Sequence, residues 1–212
     1  MKFLEQLAAR RRFGMKPGLS TIRAVCRALG DPQESFKAIH VAGTNGKGAV
    51  VALLDAALRE GGLKVGRYTS PHLVKLNERF FLDGSPVDDL KLDLISTNVE
   101  KAVSSSGDAG EGMTFFEALT AVAFSLYAES KVDVAVLETG LGGRLDATNI
   151  CNPALTIITR IGLDHCDWLG DTVEKIALEK AGIIKNNTKV ISIEQEKAVS
   201  DVLRNVASER NC

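Results

Sequence analysis

The glycine-rich segment HVAGTNGKGAV, residues 40–50, carries the residue types of a phosphate-binding loop. The common form of this loop reads G-x-x-x-x-G-K-[ST]. Here Val41 stands at the position of the first glycine, and Gly48 follows Lys47 where a hydroxyl residue is usual. Glycines let a backbone approach a phosphate closely, and a lysine supplies a compensating charge. The segment is therefore either a variant phosphate loop or a glycine-rich turn between two elements, and we favour the phosphate loop.

Polar side chains also follow the other apolar runs of the chain. Ser70 closes the second run, Glu138 closes the third, and Asp164 and His165 come just after the fourth, with Lys180 in the segment beyond. A strand that ends in a carboxylate is a common way to hold a nucleotide's metal ion. Taken singly, these residues have structural alternatives: a turn cap, a hydrogen-bonded loop histidine and a solvated helix lysine. Together they favour a metal–nucleotide site.

Five apolar segments that read as strands must position these residues: FKAIHVAG, LKVGRYTS, VDVAVLETG, ALTIITRIG and TKVISI. Segments with helical spacing alternate with them, and Thr114 and Glu117 have the spacing of a capping box. We also predict a helix that starts at Asp171 as its N-cap. Strands that alternate with helices indicate an α/β fold with a mostly parallel sheet flanked by helices. Ligands of such sheets bind at the carboxyl ends of the strands, where the polar residues would gather.

Composition narrows the class of protein. The 212 residues are 45% hydrophobic and 25% charged, which is typical of a globular enzyme or binding protein. A net charge of -1 gives no electrostatic reason to expect nucleic acid or an anionic membrane as a partner. The start, MKFLEQLAARRRFG, lacks the apolar stretch of a signal peptide, and its Glu5 argues against a transit peptide. Four cysteines without C-x-x-C spacing indicate reduced thiols, and we predict a cytoplasmic location, or a mitochondrial one in a eukaryote.

Six motifs give the chain a family resemblance. It resembles the dihydrofolate synthases and folylpolyglutamate synthases of the Mur-ligase superfamily over residues 3–185, in the order and spacing of these motifs: HVAGTNGKGAV, YTSPHL…NERF, TFFEALTAVAF, LETGLGGRLDATN, IGLDHCDWLGDT and EKAGIIK. The segment SPHL…NERF resembles the folate branch and not the ligases of cell-wall precursors. The resemblance implies a phosphate-loop-containing, Mur-ligase-like central domain.

The resemblance also accounts for the unusual loop. The family's loop reads G-T-N-G-K-G-S, so Val41 and Gly48 are expected, whereas Ala49 replaces a serine and removes one hydroxyl near the phosphates. By matching position, the residues implied to cradle the ATP phosphates are Gly43, Thr44, Asn45, Gly46, Lys47 and Gly48.

The implied chemistry uses ATP and Mg²⁺ to phosphorylate the carboxylate of dihydropteroate or folate, after which glutamate's amine attacks the acyl phosphate. The implied catalytic residues are Lys47, His165 and Lys180. The implied metal ligands are Ser70, Glu138, His165 and, if carbamylated as in the family, Lys180. A histidine ligand suggests that Mn²⁺ can substitute. The implied pteroate-binding residues are Phe115, Phe116 and Asp146, although aromatic residues at helical spacing are as often part of a core.

Length is where the chain departs from the family. We assign residues 1–193 to the ATP-binding domain and 194–212 to a terminal helix, with the family's C-terminal glutamate-binding domain absent. Two interpretations follow. The first is a truncated dihydrofolate synthase with polyglutamylation as an additional activity, which the six motifs favour. The second is a catalytically idle nucleotide-binding module, which Ala49 and the missing domain favour. For either we expect a monomer with small-molecule ligands only.

Overall fold

A seven-stranded sheet forms the centre of the computed structural model, which describes residues 2–9 and 18–212. The strands are β1 (Lys37–Ala42), β2 (Val65–Tyr68), β3 (Phe80–Leu82), β4 (Ser85–Pro86), β5 (Val134–Glu138), β6 (Pro153–Ile158) and β7 (Lys189–Ser192). Their order across the sheet is β4-β3-β2-β5-β1-β6-β7. The five predicted strands correspond to β1, β2, β5, β6 and β7, which pair in parallel, so the predicted fold class is confirmed. The arginine run at 10–12 lies outside the described residues.

Eight α-helices are found among the described residues. They are α1 (Lys2–Ala9), α2 (Ser20–Ala28), α3 (Lys47–Glu60), α4 (Asp89–Ser105), α5 (Phe115–Glu129), α6 (Cys166–Leu169), α7 (Val173–Ala181) and α8 (Lys197–Glu209). Short 3-10 helices span Pro32–Glu34, Leu76–Arg79, Gly107–Ala109 and Ala147–Ile150. None of the helices in this part of the chain has the length and apolar character needed to span a membrane.

Helices cover both faces of the sheet. Successive residues of a strand point to opposite faces, so each central strand contributes side chains to the cores on both sides. In β5, Ala135 and Leu137 pack into one core cluster with the buried residues of α4 and α5. The intervening Val134 and Val136 pack into a second cluster with Val51 of α3. A third cluster joins α7 and α8 to the end of β6. Strands buried on both faces explain the continuous apolar runs of the sequence.

Two strands were not predicted. β3 and β4 form an antiparallel hairpin on the β2 side of the sheet, joined at Asp83-Gly84, where both residues have positive φ (50° and 81°). An Asp-Gly pair favours this tight turn. The strands have only three and two residues, too few to show an alternating pattern. The sheet is therefore mixed at one edge.

Two predicted helix starts have different outcomes. The capping box of α5 is confirmed: the Glu117 N–H donates to Thr114 Oγ1 at 3.2 Å, and the Thr114 N–H donates to Glu117 Oε2 at 2.8 Å. The N-cap of α7 was predicted wrongly. Thr172 has the extended backbone of a cap and accepts from the Lys175 N–H at 3.3 Å, whereas the Asp171 carboxylate pairs with Lys175 Nζ at 2.7 Å.

The terminal helix α8 packs against α7, with Val199, Leu203 and Val206 buried in the same cluster as Ile176. The domain boundary at 193/194 stays a prediction. All four cysteines are free thiols; Cys26 and Cys151 are buried, and Cys166 and Cys212 are exposed.

Candidate functional site

The segment after β1 forms a tight loop at the carboxyl edge of the sheet. Gly43 has φ 154° and Gly46 has φ 86°, conformations that favour glycine. The loop is fastened to the segment after β6, because the Thr44 N–H donates to the Arg160 carbonyl at 2.8 Å and its hydroxyl donates to the Gly162 carbonyl at 3.1 Å. β1 lies between β5 and β6, so the loop sits at the middle of the sheet edge.

The helix that follows this loop begins without a side-chain cap. α3 starts at Lys47, has no acidic residue in its first turn, and has no side chain bonded to its first backbone N–H groups. By contrast, Asp88, Thr114 and Thr172 cap α4, α5 and α7. Free N–H groups at a helix start attract anions. Ala49, in this first turn, offers no hydroxyl, so the backbone and Lys47 must supply the contacts to a phosphate.

Two lysine ammonium groups converge on one carbonyl of the loop. Lys47 Nζ donates to the carbonyls of Gly43 (3.0 Å) and Thr44 (3.2 Å). Lys180 Nζ, buried in the last turn of α7, donates to the same Gly43 carbonyl at 2.9 Å. Like charges this close repel each other. The site would therefore gain electrostatic stability from a bound anion.

Glu138, the last residue of β5, brings a buried carboxylate to the loop. Its Oε2 accepts from the Ser70 N–H at 3.3 Å and would lie 3.7 Å from a Cβ built on Gly48. Burial raises the pKa of Glu138 above its ordinary value, and the Ser70 N–H and the charge of Lys47 oppose that rise. Among the described residues no lysine or arginine forms an ion pair with Glu138, so this buried carboxylate beside the phosphate loop is suited to share a cation with the phosphates.

The donor set fits a nucleotide-bound magnesium ion. The Glu138 carboxylate and the Ser70 hydroxyl offer oxygen, and Mg²⁺ is commonly held by one or two carboxylates together with phosphate oxygens and water. Within residues 2–9 and 18–212, no three His, Cys, Asp or Glu side chains gather to hold a metal by themselves. His165 has a half-exposed ring whose Nε2 lies 3.6 Å from Asp164 Oδ1. Its role as a metal ligand stays a prediction.

A cavity of about 740 Å³ adjoins this edge. Its lining includes Ser70 and His165 together with the predicted pteroate residues Phe115, Phe116 and Asp146. Phe116 also packs against the Tyr68 ring (centroids 6.1 Å apart), so it belongs to the core as well as to the cavity.

Asp146 is buried with both carboxylate oxygens already engaged by the chain. Oδ2 accepts from the N–H groups of Gly140 (2.8 Å) and Leu141 (2.9 Å), and Oδ1 accepts from the Thr148 N–H (3.0 Å) and hydroxyl. Asp146 therefore holds the wall of the cavity in place. Direct contact between Asp146 and a pteroate stays a prediction.

Sequence reasoning did not single out two further residues that line the cavity. Arg79 is 9% exposed and its Nε donates to His72 Nδ1 at 2.8 Å. Trp168 is 57% exposed at the same cavity. Arg79 lies within NERF, directly before two phenylalanines, and an arginine set against an apolar pair was the available signal. Trp168, the only tryptophan of the chain, carried no comparable pattern.

Lys180 has a perturbed ionisation that fits its predicted carbamylation. Burial, with the charge of Lys47, lowers the pKa of Lys180 from 10.5 to about 8. The neutral amine is the form that reacts with CO₂, so a lowered pKa makes carbamylation more accessible near neutral pH. Carbamylation stays a prediction.

The same pKa predicts how stability depends on pH. Between pH 8 and 10.5 the unfolded chain binds more protons at Lys180 than the folded chain does, so stability should rise with pH across this window and be lowest below pH 8. We expect Lys180→Met to remove this rise and to increase the free energy of unfolding at pH 7 by about 2–3 kcal/mol. Urea denaturation at pH 7 to 10 in CO₂-free buffer measures both. The exposed Lys101→Met variant is the control, and an identical pH dependence of Lys180→Met and wild type would contradict the prediction.

Comparisons with known proteins agree with this geometry. The family model of the Mur ligase middle domain matches residues 41–212. A dihydrofolate synthase/folylpolyglutamate synthase from Bacillus subtilis is 42% identical over 200 residues, which covers 93% of this chain and 46% of that protein. The protein of the same description from Mycobacterium tuberculosis is 44% identical over 176 residues, or 79% of this chain and 36% of that protein.

The fold is also similar to that of a solved structure. E. coli FolC in complex with DHPP and ADP matches with a TM-score of 0.91 at 36% sequence identity, over 100% of this chain and 49% of that chain. The chain thus spans about half the length of the B. subtilis and E. coli proteins and 36% of the M. tuberculosis protein.

Proposed function

The chain belongs to the Mur ligase family through its middle domain, and on that premise we propose that it carries the ATP and pteroate sites of a dihydrofolate synthase. The reaction would be the ATP-dependent ligation of L-glutamate to dihydropteroate. Relatives described as dihydrofolate synthase/folylpolyglutamate synthase, and a relative's complex with DHPP and ADP, support this choice of substrates. Polyglutamylation of folates is an additional activity that the same site would allow.

One observation carries the proposal: Ser70 and Glu138 connect the 740 Å³ cavity, where the acceptor acid would bind (the acceptor cavity), to the phosphate loop. Ser70 lines the cavity, and its N–H is bonded to the Glu138 carboxylate that lies against Gly48 of the loop. A carboxylic acid that binds in the cavity with its carboxylate at Ser70 would therefore lie next to the terminal phosphate of a nucleotide on the loop. Such proximity is what a phosphoryl transfer between the two requires.

In the proposed first step, an oxygen of the acceptor carboxylate attacks the γ-phosphorus of ATP, the bond to the leaving ADP oxygen breaks, and an acyl phosphate forms. The loop N–H groups and Lys47 bind the phosphates, and Glu138 and Ser70 would hold Mg²⁺, which would neutralise charge on the phosphate oxygens. In the second step glutamate's amine attacks the acyl carbon, phosphate leaves, and an amide forms with loss of a proton.

The nucleotide half of the proposal is tested with Lys47. We expect Lys47→Ala to weaken Mg²⁺–ATP binding at least about tenfold, because a charge-assisted phosphate contact contributes about 1.5–3 kcal/mol. Calorimetry on the 212-residue chain measures this affinity. Lys175→Ala, which removes an exposed lysine paired with Asp171, is the matched control. Equal ATP affinity in Lys47→Ala and wild type would show that the loop does not bind the phosphates.

The acceptor half is tested by titrating the Mg²⁺–ATP-loaded chain with dihydropteroate and, separately, with a reduced folate monoglutamate. We expect dihydropteroate to bind and, with hydroxylamine present, to yield the hydroxamate that traps an acyl phosphate. Tighter binding of the monoglutamate would favour polyglutamylation. Binding of ATP without either acceptor would instead identify an idle nucleotide-binding module.

A further inference from the structure

A buried chain of hydrogen bonds runs behind the acceptor cavity. His40 Nε2 lies 2.8 Å from Thr148 Oγ1, and the Thr148 hydroxyl donates to Asp146 Oδ1. On the other side of the imidazole, Cys151 Sγ lies 3.8 Å from His40 Nδ1. All four side chains are at most 5% exposed. Buried polar groups with a full set of partners hold one fixed arrangement.

The direction of each bond follows from the groups involved. Burial raises the pKa of Asp146 above its ordinary value, but the Thr148 hydroxyl and three backbone N–H groups donate to the carboxylate and oppose that rise. With both oxygens already accepting from these donors, the carboxylate is held in its ionised, accepting form. The single proton of the Thr148 hydroxyl is donated to Asp146, so Thr148 Oγ1 must accept from His40. The hydrogen of His40 therefore sits on Nε2, and Nδ1 accepts from the Cys151 thiol.

The ionisation of the two outer groups agrees with this assignment. Burial, with the charge of Lys185, lowers the pKa of His40 to about 3. Burial raises the pKa of the Cys151 thiol to about 12. Both groups are thus neutral across the physiological range, and the imidazole is held in one tautomer.

At the end away from Cys151, this series of hydrogen bonds reaches the wall of the cavity. Asp146 Oδ2 accepts from the N–H groups of Gly140 and Leu141, which line the cavity. A Cβ built on Gly140 would overlap the ring of Phe116, so only a glycine leaves room for the ring at this position. His40 itself is on β1, three residues before Gly43 of the phosphate loop. The same hydrogen bonds thus connect the strand that carries the phosphate loop to the wall of the acceptor cavity.

We propose that His40 is a positioning residue for the acceptor carboxylic acid: through Thr148 it fixes the Asp146 carboxylate, and Asp146 fixes the 140–141 wall. The identity of the acceptor rests on the proposed function. His40 is not among the residues that line the cavity, so its effect on the acceptor must pass through Thr148 and Asp146.

The first test separates acceptor binding from nucleotide binding. In the 212-residue chain, His40→Leu removes the donor, whereas His40→Gln keeps an Nε2 donor on a side chain of similar reach. We expect His40→Leu to weaken dihydropteroate binding about tenfold and to change Mg²⁺–ATP binding less than twofold, with His40→Gln recovering most of the loss. Leu203→Ala, in the α7–α8 cluster away from the cavity, is the control for general destabilisation. Equal loss of both ligands in His40→Leu, or the same selective loss in Leu203→Ala, would overturn the proposal.

The second test requires no substrate. Long-range ¹H–¹⁵N NMR of the histidine rings should show His40 with its hydrogen on Nε2 in the wild type, and the Thr148→Val variant should shift this signal. Hydrogen on Nδ1 would overturn the proposed bond directions whatever the protein binds. A wild type that binds no dihydropteroate would contradict the proposed function. A His40→Leu variant that binds dihydropteroate as well as the wild type does would contradict the role of His40 alone.

Discussion

Replacing Gly43 by alanine should abolish nucleotide binding, with ATP affinity reduced at least about 100-fold. A Cβ at this position would overlap Thr159 Oγ1 and would also lie 3.1 Å from the Thr159 carbonyl carbon, in a backbone conformation (φ 154°) that L-residues rarely adopt. Because backbone as well as side chain is in the way, the loop must move. Its carbonyl is also the acceptor for Lys47 and Lys180, so both ammonium groups would move with it. Calorimetric titration with Mg²⁺–ATP measures the loss.

The control for this variant is Gly30→Ala. Gly30 also has a positive φ (82°), but no atom lies within 4 Å of a Cβ built there. It should lose about 1–2 kcal/mol of stability from backbone strain and keep its ATP affinity. Adding Thr159→Ala to Gly43→Ala removes the nearest overlapping atom and should recover part of the binding. Wild-type ATP affinity in Gly43→Ala would contradict the assignment of the loop.

Replacing Glu138 by glutamine should remove the dependence of ATP binding on Mg²⁺. The substitution preserves shape and removes the charge of the buried carboxylate beside Gly48. We expect the affinity for Mg²⁺–ATP to fall about 100-fold, since even residues that only support a metal ligand contribute 10- to 100-fold. The affinity for ATP in EDTA should not fall, because a negative charge near the phosphates has been removed.

The comparison of Mg²⁺ and EDTA makes this result specific. A folding defect would weaken ATP binding under both conditions, whereas loss of a metal ligand weakens it only with Mg²⁺. Glu194→Gln, an exposed carboxylate, controls for the change in net charge. If Mg²⁺ still strengthens ATP binding to Glu138→Gln as it does in the wild type, Glu138 does not hold the ion.

The parallel part of the fold was predictable because its strands stand out in the sequence as apolar runs. β5 is buried throughout, and β1 and β6 are mostly buried, so their sequences are largely apolar runs bounded by glycine or polar residues. The β3–β4 hairpin was missed because its strands are too short for any periodicity. The Asp83-Gly84 pair was the one local signal of the hairpin. Strand ends were also enough to bring Glu138 and the loop to one edge, because parallel strands end together.

The rest of the site depends on contacts that no local pattern encodes. In the sequence His40 stands among apolar residues and Asp146 lies in the segment GGRLDATN, and neither segment reveals that Thr148 connects the two side chains. The position of Arg79 directly before two phenylalanines was a signal of burial, but its place in the cavity wall depends on the way Leu76–Arg79 folds back towards His72. Side-chain contacts that form only in the folded protein cannot be read from the periodicity or spacing of residues in the sequence.

The central place of β1 in the sheet has a consequence for how the protein is synthesised and folds. β1 is the first strand among the described residues, yet its two neighbours are β5 and β6, so Val41 is paired on both sides only once Glu138 and Ile157 are in place. Contacts between residues far apart in sequence form slowly, because a long loop must first close. The Gly43 loop, which is bonded to Arg160 and Lys180, can therefore take its shape only after the residues up to Lys180 have been synthesised. Nucleotide binding thus reports that the sheet has been assembled as far as β6.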